Sequence, residues 1–224
     1  MFPIQNKLLH IFVGPTLVGI TLKEGWDDQL IVHAPARRGD VARLVRDEPP
    51  GKIALVDGTF HSYPAVGHAE IMLALKRGWS IWGLSSMGAI RAAEMHTYGM
   101  RGFGQVFISY RDHDLSDDEV TLLHQEEFPY ISLSQPLIHI RLLIHDLIHL
   151  KILSPKSGEE IIMRLKKMWF GERTMTNLRE YLAEAGVKEE QIADINHMFS
   201  RFEIKTHDLI DFLSLKPWLS IASS

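Results

Sequence analysis

The sequence predicts an α/β protein: a parallel sheet with flanking helices, followed by an all-helical C-terminal half. Three observations carry that prediction. Short apolar runs closed by Gly, Asp or Pro alternate with amphipathic stretches through the first half of the chain, the signature of βα units. From Gln135 onward only the helical period remains. The 224 residues are 46% apolar and 23% charged, enough to bury a real core. The change of pattern divides the chain into an α/β core domain, 1–132, and a helical domain, 133–224.

Each element has its own local reason. Leu8 to Val13 reads as a buried strand ended by Gly14-Pro15, and Leu30 to His33 as a short strand. Asp40 is placed to cap a helix through Ala42 to Val45. Ile53 to Val56 is a strand closed by Asp57-Gly58, and Val66 to Leu75 a helix ending at Gly78. Trp79 to Gly83 is the next strand and Met87 to Tyr98 the next helix, with Gly99 as its stop. Gln105 to Tyr110 is rich in β-formers and reads as a further strand. Leu137 to Leu150, Gly158 to Phe170, Thr174 to Ala185 and Glu189 to Phe199 follow at helical period, and Asp208 to Leu215 adds one or two turns.

The composition narrows the function classes. A formal charge of −4 with only small pairs of basic residues argues against nucleic acid as a partner. No apolar run is long enough to span a bilayer, and the first seven residues lack a signal peptide's apolar region, so a cytoplasmic location is expected. Cysteine is absent, which removes zinc-thiolate sites, iron–sulfur clusters and a protein-borne persulfide. Serine is then the leading covalent nucleophile.

The run from Ser80 to Glu94 is the most informative. A strand breaks at Gly83, Ser85 and Ser86 take the bend, and a helix begins at Met87. Ligands of open α/β sheets bind at the carboxyl ends of strands. There the N–H groups of Met87 and Gly88 are expected as free donors for an oxyanion. Either serine serves equally well as a plain N-cap. In a parallel sheet Asp57-Gly58 lies on the same edge. His68, heading the stripe Ile71, Met72 and Leu75, is a candidate base, with a hydrogen-bonded structural histidine as the other reading. Glu70 lies on another face of that helix. Arg91 and Glu94, spaced i, i+3, form a surface pair or, for Arg91, reach an anionic substrate.

Other patterns carry less. Ser116-Asp117-Asp118-Glu119 matches a capping box, with His124 at the end of its short helix. His145-Asp146-Leu147-Ile148-His149 has Asp where a zinc protease motif needs Glu, and no metal site is expected. The glycine-rich Gly99 to Gly104 leads from a helix into a strand, the reverse of a phosphate loop. No cofactor is expected.

Several motifs stand in a fixed order. They are Phe12-Val13-Gly14-Pro15-Thr16-Leu17, Gly39-Asp40, Val56-Asp57-Gly58-Thr59-Phe60, His68-Ala69-Glu70-Ile71 and Ser85-Ser86-Met87-Gly88-Ala89-Ile90-Arg91-Ala92-Ala93-Glu94. Tyr98-Gly99-Met100-Arg101-Gly102 and Asp117-Asp118-Glu119-Val120 with His124 follow. This set resembles the TfuA-like family across Ile11 to His124, about half the chain. The resemblance implies a partner of YcaO-type enzymes in peptide backbone thioamidation. Such a partner would release sulfide from a thiocarboxylated ubiquitin-like sulfur carrier. It implies Ser86, with Ser85 as the other candidate, and His68 as catalytic groups. Asp57, Gly58, Glu70, Met87, Gly88, Arg91 and Glu94 would meet the substrate. Ser86-Met87-Gly88-Ala89 is also similar to the serine turn of Clp-type proteases, which favours Ser86. Two positions depart from the pattern: Leu84 precedes the serines where a small residue is expected, and Ala69 stands where a lysine is common. A non-catalytic adaptor that docks the carrier or precursor peptide onto the YcaO enzyme, and a serine peptidase or esterase, are the other functions to separate.

Overall fold

The computed structural model describes residues 8–21, 28–58, 63–113 and 115–220. The first seven residues and Thr59-Phe60 of the motif set lie outside that description.

Two compact units form: residues 1–115 with 205–224, and residues 116–204. That division differs from a cut at 132, and the C-terminal helix joins the α/β unit instead of the helical one.

In the α/β unit, β1 (Leu9–Phe12), β2 (Leu30–His33), β3 (Lys52–Leu55), β4 (Ser80–Leu84) and β5 (Arg101–Phe103) make one sheet of order β2-β1-β3-β4-β5, parallel at every pairing. The helices between strands are α1 (Asp40–Asp47), α2 (His68–Lys76) and α3 (Met87–Met95). The strand order reverses between β1 and β3. A crevice opens at such a switch point, outside the carboxyl ends of the strands.

The central strands of the sheet are covered on both faces, while Ile31 and Val32 of the edge strand β2 stay exposed. α3 lies directly on β3 and β4, so closely that a Cβ on Gly88 would stand 1.7 Å from the Leu55 carbonyl oxygen. The opposite face presents Leu9, Ile11, Val13, Ala54, Val56, Trp82 and Leu84, alternate residues of their strands. They pack with Leu209, Phe212, Leu213 and Trp218. The first three come from the helix Ile204–Leu215 and Trp218 from the 3₁₀ turn after it, Pro217–Leu219, and each is at most 1% exposed. The core of the sheet therefore needs the last helix as a cover.

One strand of the sequence reading is a helix. Gln105 to Tyr110 lies in α4 (Gly104–Asp112), and the strand precedes it at Arg101–Phe103. The cause is a long-range cap: the Asp208 carboxylate accepts from the N–H groups of Gln105 (2.8 Å) and Val106 (2.9 Å). Gly104, at φ +89°, lets that carboxylate approach, since a Cβ there would lie 2.2 Å from its carbon. Strand then helix is thus the order around the glycine-rich segment, but the helix start already holds an anion. No phosphate fits beside it.

Burial pushes Asp208 up to about 6, against the pull of its two backbone hydrogen bonds. The folded chain therefore takes up a proton as pH falls through about 6, while the unfolded chain waits until about 4. This group's share of stability grows as pH falls through that window and is lost as pH rises back through it. Asp208→Asn is expected to flatten that part of the stability–pH curve, measured by urea unfolding.

The second unit contains α5 (Leu137–His149), α6 (Pro155–Lys167), α7 (Met175–Glu184) and α8 (Glu189–Met198). Leu137, Ile140, Leu143, Ile144 and Leu147 recur at helical spacing and pack with Ile161, Leu165, Leu178, Leu182 and Ile195. The capping box is replaced by another bond. Ser116 precedes a 3₁₀ turn, Asp117–Glu119, without capping it, and Glu119 turns inward at 2% exposed to take two bonds from Arg141 (2.7 and 2.8 Å). A bidentate guanidinium offers the carboxylate more than a single backbone N–H. His124 bridges to Ser132 in an antiparallel pair and is not in a helix. Asp40 likewise starts α1 as its first residue, accepting from Arg37 N–H (2.8 Å), with Gly39 at the cap position. Among the described residues no three His, Asp or Glu side chains gather as metal ligands. No helix among them is long and apolar enough to cross a membrane.

Candidate functional site at the carboxyl edge of the sheet

The bend after β4 is tight. Ser86 N–H donates to the Leu84 carbonyl two residues back (2.7 Å), which closes a three-residue turn. Ser85, at its centre, sits at φ +62°, a conformation that costs a residue with a Cβ of order 1 kcal/mol or more. What holds it there is the Ser85 hydroxyl, fully buried and donating to the Lys205 carbonyl (2.7 Å). Ser85 is committed to structure.

Ser86 differs. It stands at the N-cap position of α3 but makes no side-chain cap bond, and it is 5% exposed. Its hydroxyl takes no hydrogen bond among the described residues. Of the two backbone donors expected to be free, one is used: Gly88 N–H donates to the Val56 carbonyl (3.1 Å) because α3 lies against that strand end. Met87 N–H has no such partner among the described residues. Its side chain is fully buried over Gly58, where a Cβ would lie 2.2 Å from the Met87 methyl carbon. Gly58 and Met87 thus meet, and the turn after β3 borders the serine bend.

Asp57 lies at the switch point and is 2% exposed. Its carboxylate accepts three bonds, from Gly14 N–H (2.9 Å), Thr16 N–H (3.0 Å) and Thr16 Oγ1 (2.7 Å). It ties the loop after β1 to the end of β3. Glu70 is also a tie: it accepts from Gly67 N–H (2.8 Å), from Gly39 N–H (3.0 Å) and from Ala42 N–H (3.4 Å), capping its own helix and α1 together. Two orphan helix starts share one carboxylate.

His68 is brought to Glu94 and not to the serines. Its Nε2 stands 2.7 Å from Glu94 Oε2, which also accepts from Arg91 (2.6 Å). Arg91 in turn donates to the Val66 carbonyl (2.8 Å). Glu94 lies eight residues beyond Ser86, about 12 Å along the helix axis. The three side chains form their own cluster on the second and third turns of α3, half-exposed at His68 and Glu94.

A residue the sequence reading passed over is Lys205, 2% exposed at the start of α9 (Ile204–Leu215). Burial pulls its amine below the usual lysine range, and the Asp57 charge opposes that pull. One signal was present. Lys205, Leu209, Phe212 and Leu213 are spaced as one helix stripe, so a lysine occupies a position where the period calls for an apolar side chain.

Against known proteins, a family model described as TfuA-like protein matches residues 57–174, just over half of the chain. No curated protein matches it.

Proposed function

The chain belongs to the TfuA-like family, which is associated with thioamidation and linked to YcaO-type enzymes, and from that membership we propose that it hydrolyses a thiocarboxylate. The substrate is the C-terminal thiocarboxylate of a ubiquitin-like sulfur carrier, and the sulfide released feeds a YcaO-type enzyme. The observation that carries the reading is the bend itself: a serine hydroxyl without a structural bond among the described residues, beside a backbone N–H at a helix start, on the carboxyl edge of a parallel sheet.

Ser86 Oγ attacks the thiocarboxylate carbon, and Met87 N–H stabilises the oxygen as it gains charge. The hydroxyl proton ends on sulfur, which leaves as hydrosulfide: R–CO–S⁻ + Ser–OH gives R–CO–O–Ser + HS⁻. Water then cleaves the acyl-serine to carboxylate and regenerated Ser86, releasing one proton. Arg91 is mostly covered and bonded to Val66 and Glu94, so its contribution is a positive charge near α3 and not a direct ligand. A chain without cysteine suits this division of labour, since the sulfur arrives and departs without a protein thiol.

Mass spectrometry of a thiocarboxylated carrier, incubated with this chain alone and without YcaO enzyme or ATP, tests the proposal. The wild-type chain is expected to replace the carrier's sulfur by oxygen. Ser86→Ala is expected to slow that conversion on the order of 10³-fold or more. Ser85→Ala, whose hydroxyl serves Lys205, is expected to cost far less rate. Unimpaired conversion by Ser86→Ala removes the serine from the reaction.

An adaptor role is the second reading, favoured by one surface feature. The loop between His124 and Ser134 exposes Phe128 (83%), Ile131 (44%) and Leu133 (50%). A wild-type chain that binds the YcaO enzyme but releases no sulfide alone selects that reading.

A further inference from the structure

The proposed substrate is an anion, and Arg91 is spent on the Val66 carbonyl and Glu94. A second arginine lies along the carboxyl edge. Ala36 N–H donates to the Asp57 carbonyl (2.9 Å), and Ala36 bridges Gly58 in parallel, so the loop after β2 runs beside the turn after β3. A Cβ on Gly58 would lie 3.1 Å from the Ala36 carbonyl oxygen and 2.2 Å from the Met87 methyl carbon. Arg37 therefore follows directly on a residue in contact with the glycine that borders the serine bend.

This loop is fixed residue by residue. Arg37 N–H donates to Asp40 Oδ2 (2.8 Å) and Arg38 N–H to the Pro64 carbonyl (2.9 Å). The Arg37 guanidinium carbon stands 3.7 Å from the centre of the Tyr63 ring, the separation of two stacked planes. Stacking uses the face of the group and leaves its five N–H donors around the edge. Among the described residues no acceptor meets them. Asp40, the nearest carboxylate in sequence, already accepts from the Arg37 backbone and from Arg43 (2.8 Å). Arg91, Arg141 and Arg173, by contrast, each meet a carboxylate. Arg37 is half-buried, where a methionine would cover Tyr63 without desolvating a charge. An anion is the partner such a fork is shaped to take.

We infer that Arg37 binds an anionic carboxyl group of the sulfur carrier and holds the carrier's tail at this edge. The planar fork donates two parallel bonds to a carboxylate or thiocarboxylate, and its fixed stack on Tyr63 lowers the ordering cost of binding. No covalent bond changes at Arg37, so its loss weakens binding and spares the chemical step. The anion is either the carrier's terminal group or an acidic side chain of its tail. The identity of the ligand rests on the proposed function; the site itself rests on the unfilled guanidinium.

Binding of the carrier in its carboxylate form, and of the same carrier ended by an amide, is measured by isothermal titration against the full chain. Circular dichroism is the folding control. Arg37→Met is expected to weaken binding of the carboxylate form about tenfold or more. In sulfide release it should raise KM by a similar factor and leave kcat within about threefold. Arg46→Met removes an exposed charge from the far end of α1 and is expected to change neither. A wild-type preference for acid over amide that disappears in Arg37→Met assigns the terminal group. Equal binding of acid and amide, both weakened by Arg37→Met, assigns a side-chain carboxylate. Arg37→Lys keeps the charge and loses the fork, and about threefold weaker binding or more is expected. Wild-type affinity in Arg37→Met, or in Arg37→Lys should the first not fold, overturns the inference while Ser86-dependent release stands. An equal loss in Arg46→Met overturns it as well, since general charge would then suffice, and so does a wild-type chain that binds no carrier. Arg37-dependent binding by a chain that releases no sulfide supports the site and removes hydrolysis alone.

Discussion

Gly88→Ala is expected to destabilise the α/β unit by about 4 kcal/mol or more, or to prevent it from folding. The added Cβ would lie 1.7 Å from the Leu55 carbonyl oxygen and 2.4 Å from its carbon, both backbone atoms of a central strand. A flexible side chain could swing aside; a strand bonded on both edges cannot. Relief requires α3 to lift off β3, which breaks the hydrogen bond from Gly88 N–H to Val56 and turns the Ser85–Ser86 bend with it. Stability and sulfide release should therefore fall together, the first read from the urea midpoint. Gly67→Ala is the control. Its Cβ would meet nothing closer than Glu70 Oε1 at 3.9 Å, and a loss below about 1 kcal/mol is expected. Equal losses at the two glycines would show that close approach at Gly88 is not what secures the bend.

Arg173→Met is expected to cost about 3–5 kcal/mol in the second unit. Arg173 is 1% exposed and donates to the Leu165 carbonyl (2.9 Å), the Asp118 carbonyl (2.8 Å) and the Asp118 carboxylate (2.5 Å). Methionine fills the space but takes the guanidinium from two carbonyls, which keep only backbone donors such as Met168 N–H on Leu165 and Thr121 N–H on Asp118 (both 3.3 Å), and a lost buried bond to a charged donor costs about 1–3 kcal/mol. Burial pushes Asp118 upward, yet the bonds from Ser116 and Arg173 hold it below the usual carboxylate range. Asp118 is nevertheless more than a third exposed, so Asp118→Asn should cost only about 1 kcal/mol or less. Hydrogen exchange should place the Arg173→Met damage in α6 and α7 before any effect on the sheet. A loss confined to the size of the Asp118→Asn change would mean that the ion pair, not the carbonyl bonds, is what Arg173 supplies.

Much of the framework was legible without coordinates. β1, β2, β3 and β4 fall within a residue or two of the predicted runs, because apolar strands closed by Gly, Asp or Pro leave few alternatives. Thr174 and Ser154 cap α7 and α6 through their side chains, as local chemistry dictates. The serine bend was legible for the same reason, since a broken apolar run followed by two serines and a Gly-Ala helix has one economical geometry. α4 was not: Gln105 to Tyr110 favours a strand by propensity, and a carboxylate from about a hundred residues later overrides it.

The carboxylates show the same limit at the site. Asp57 and Glu70 stand where a substrate group would, but their partners come from Gly14, Thr16, Gly39 and Ala42, which no local pattern assigns to them. Lys205 carried a faint signal, a charge in an apolar stripe, whose meaning depends on what the stripe covers.

The amino-acid order alone determined four of the five strands, most of the helices, the bend and the family, because each follows from stereochemistry and hydrophobic period over a few neighbouring residues. Only the tertiary structure decided which of two adjacent hydroxyls is spent on the scaffold, which carboxylates cap helices, and that the last helix closes the sheet with a buried lysine. Charged and polar groups are assigned by the distant atoms that surround them, and chain folding is what brings those atoms near.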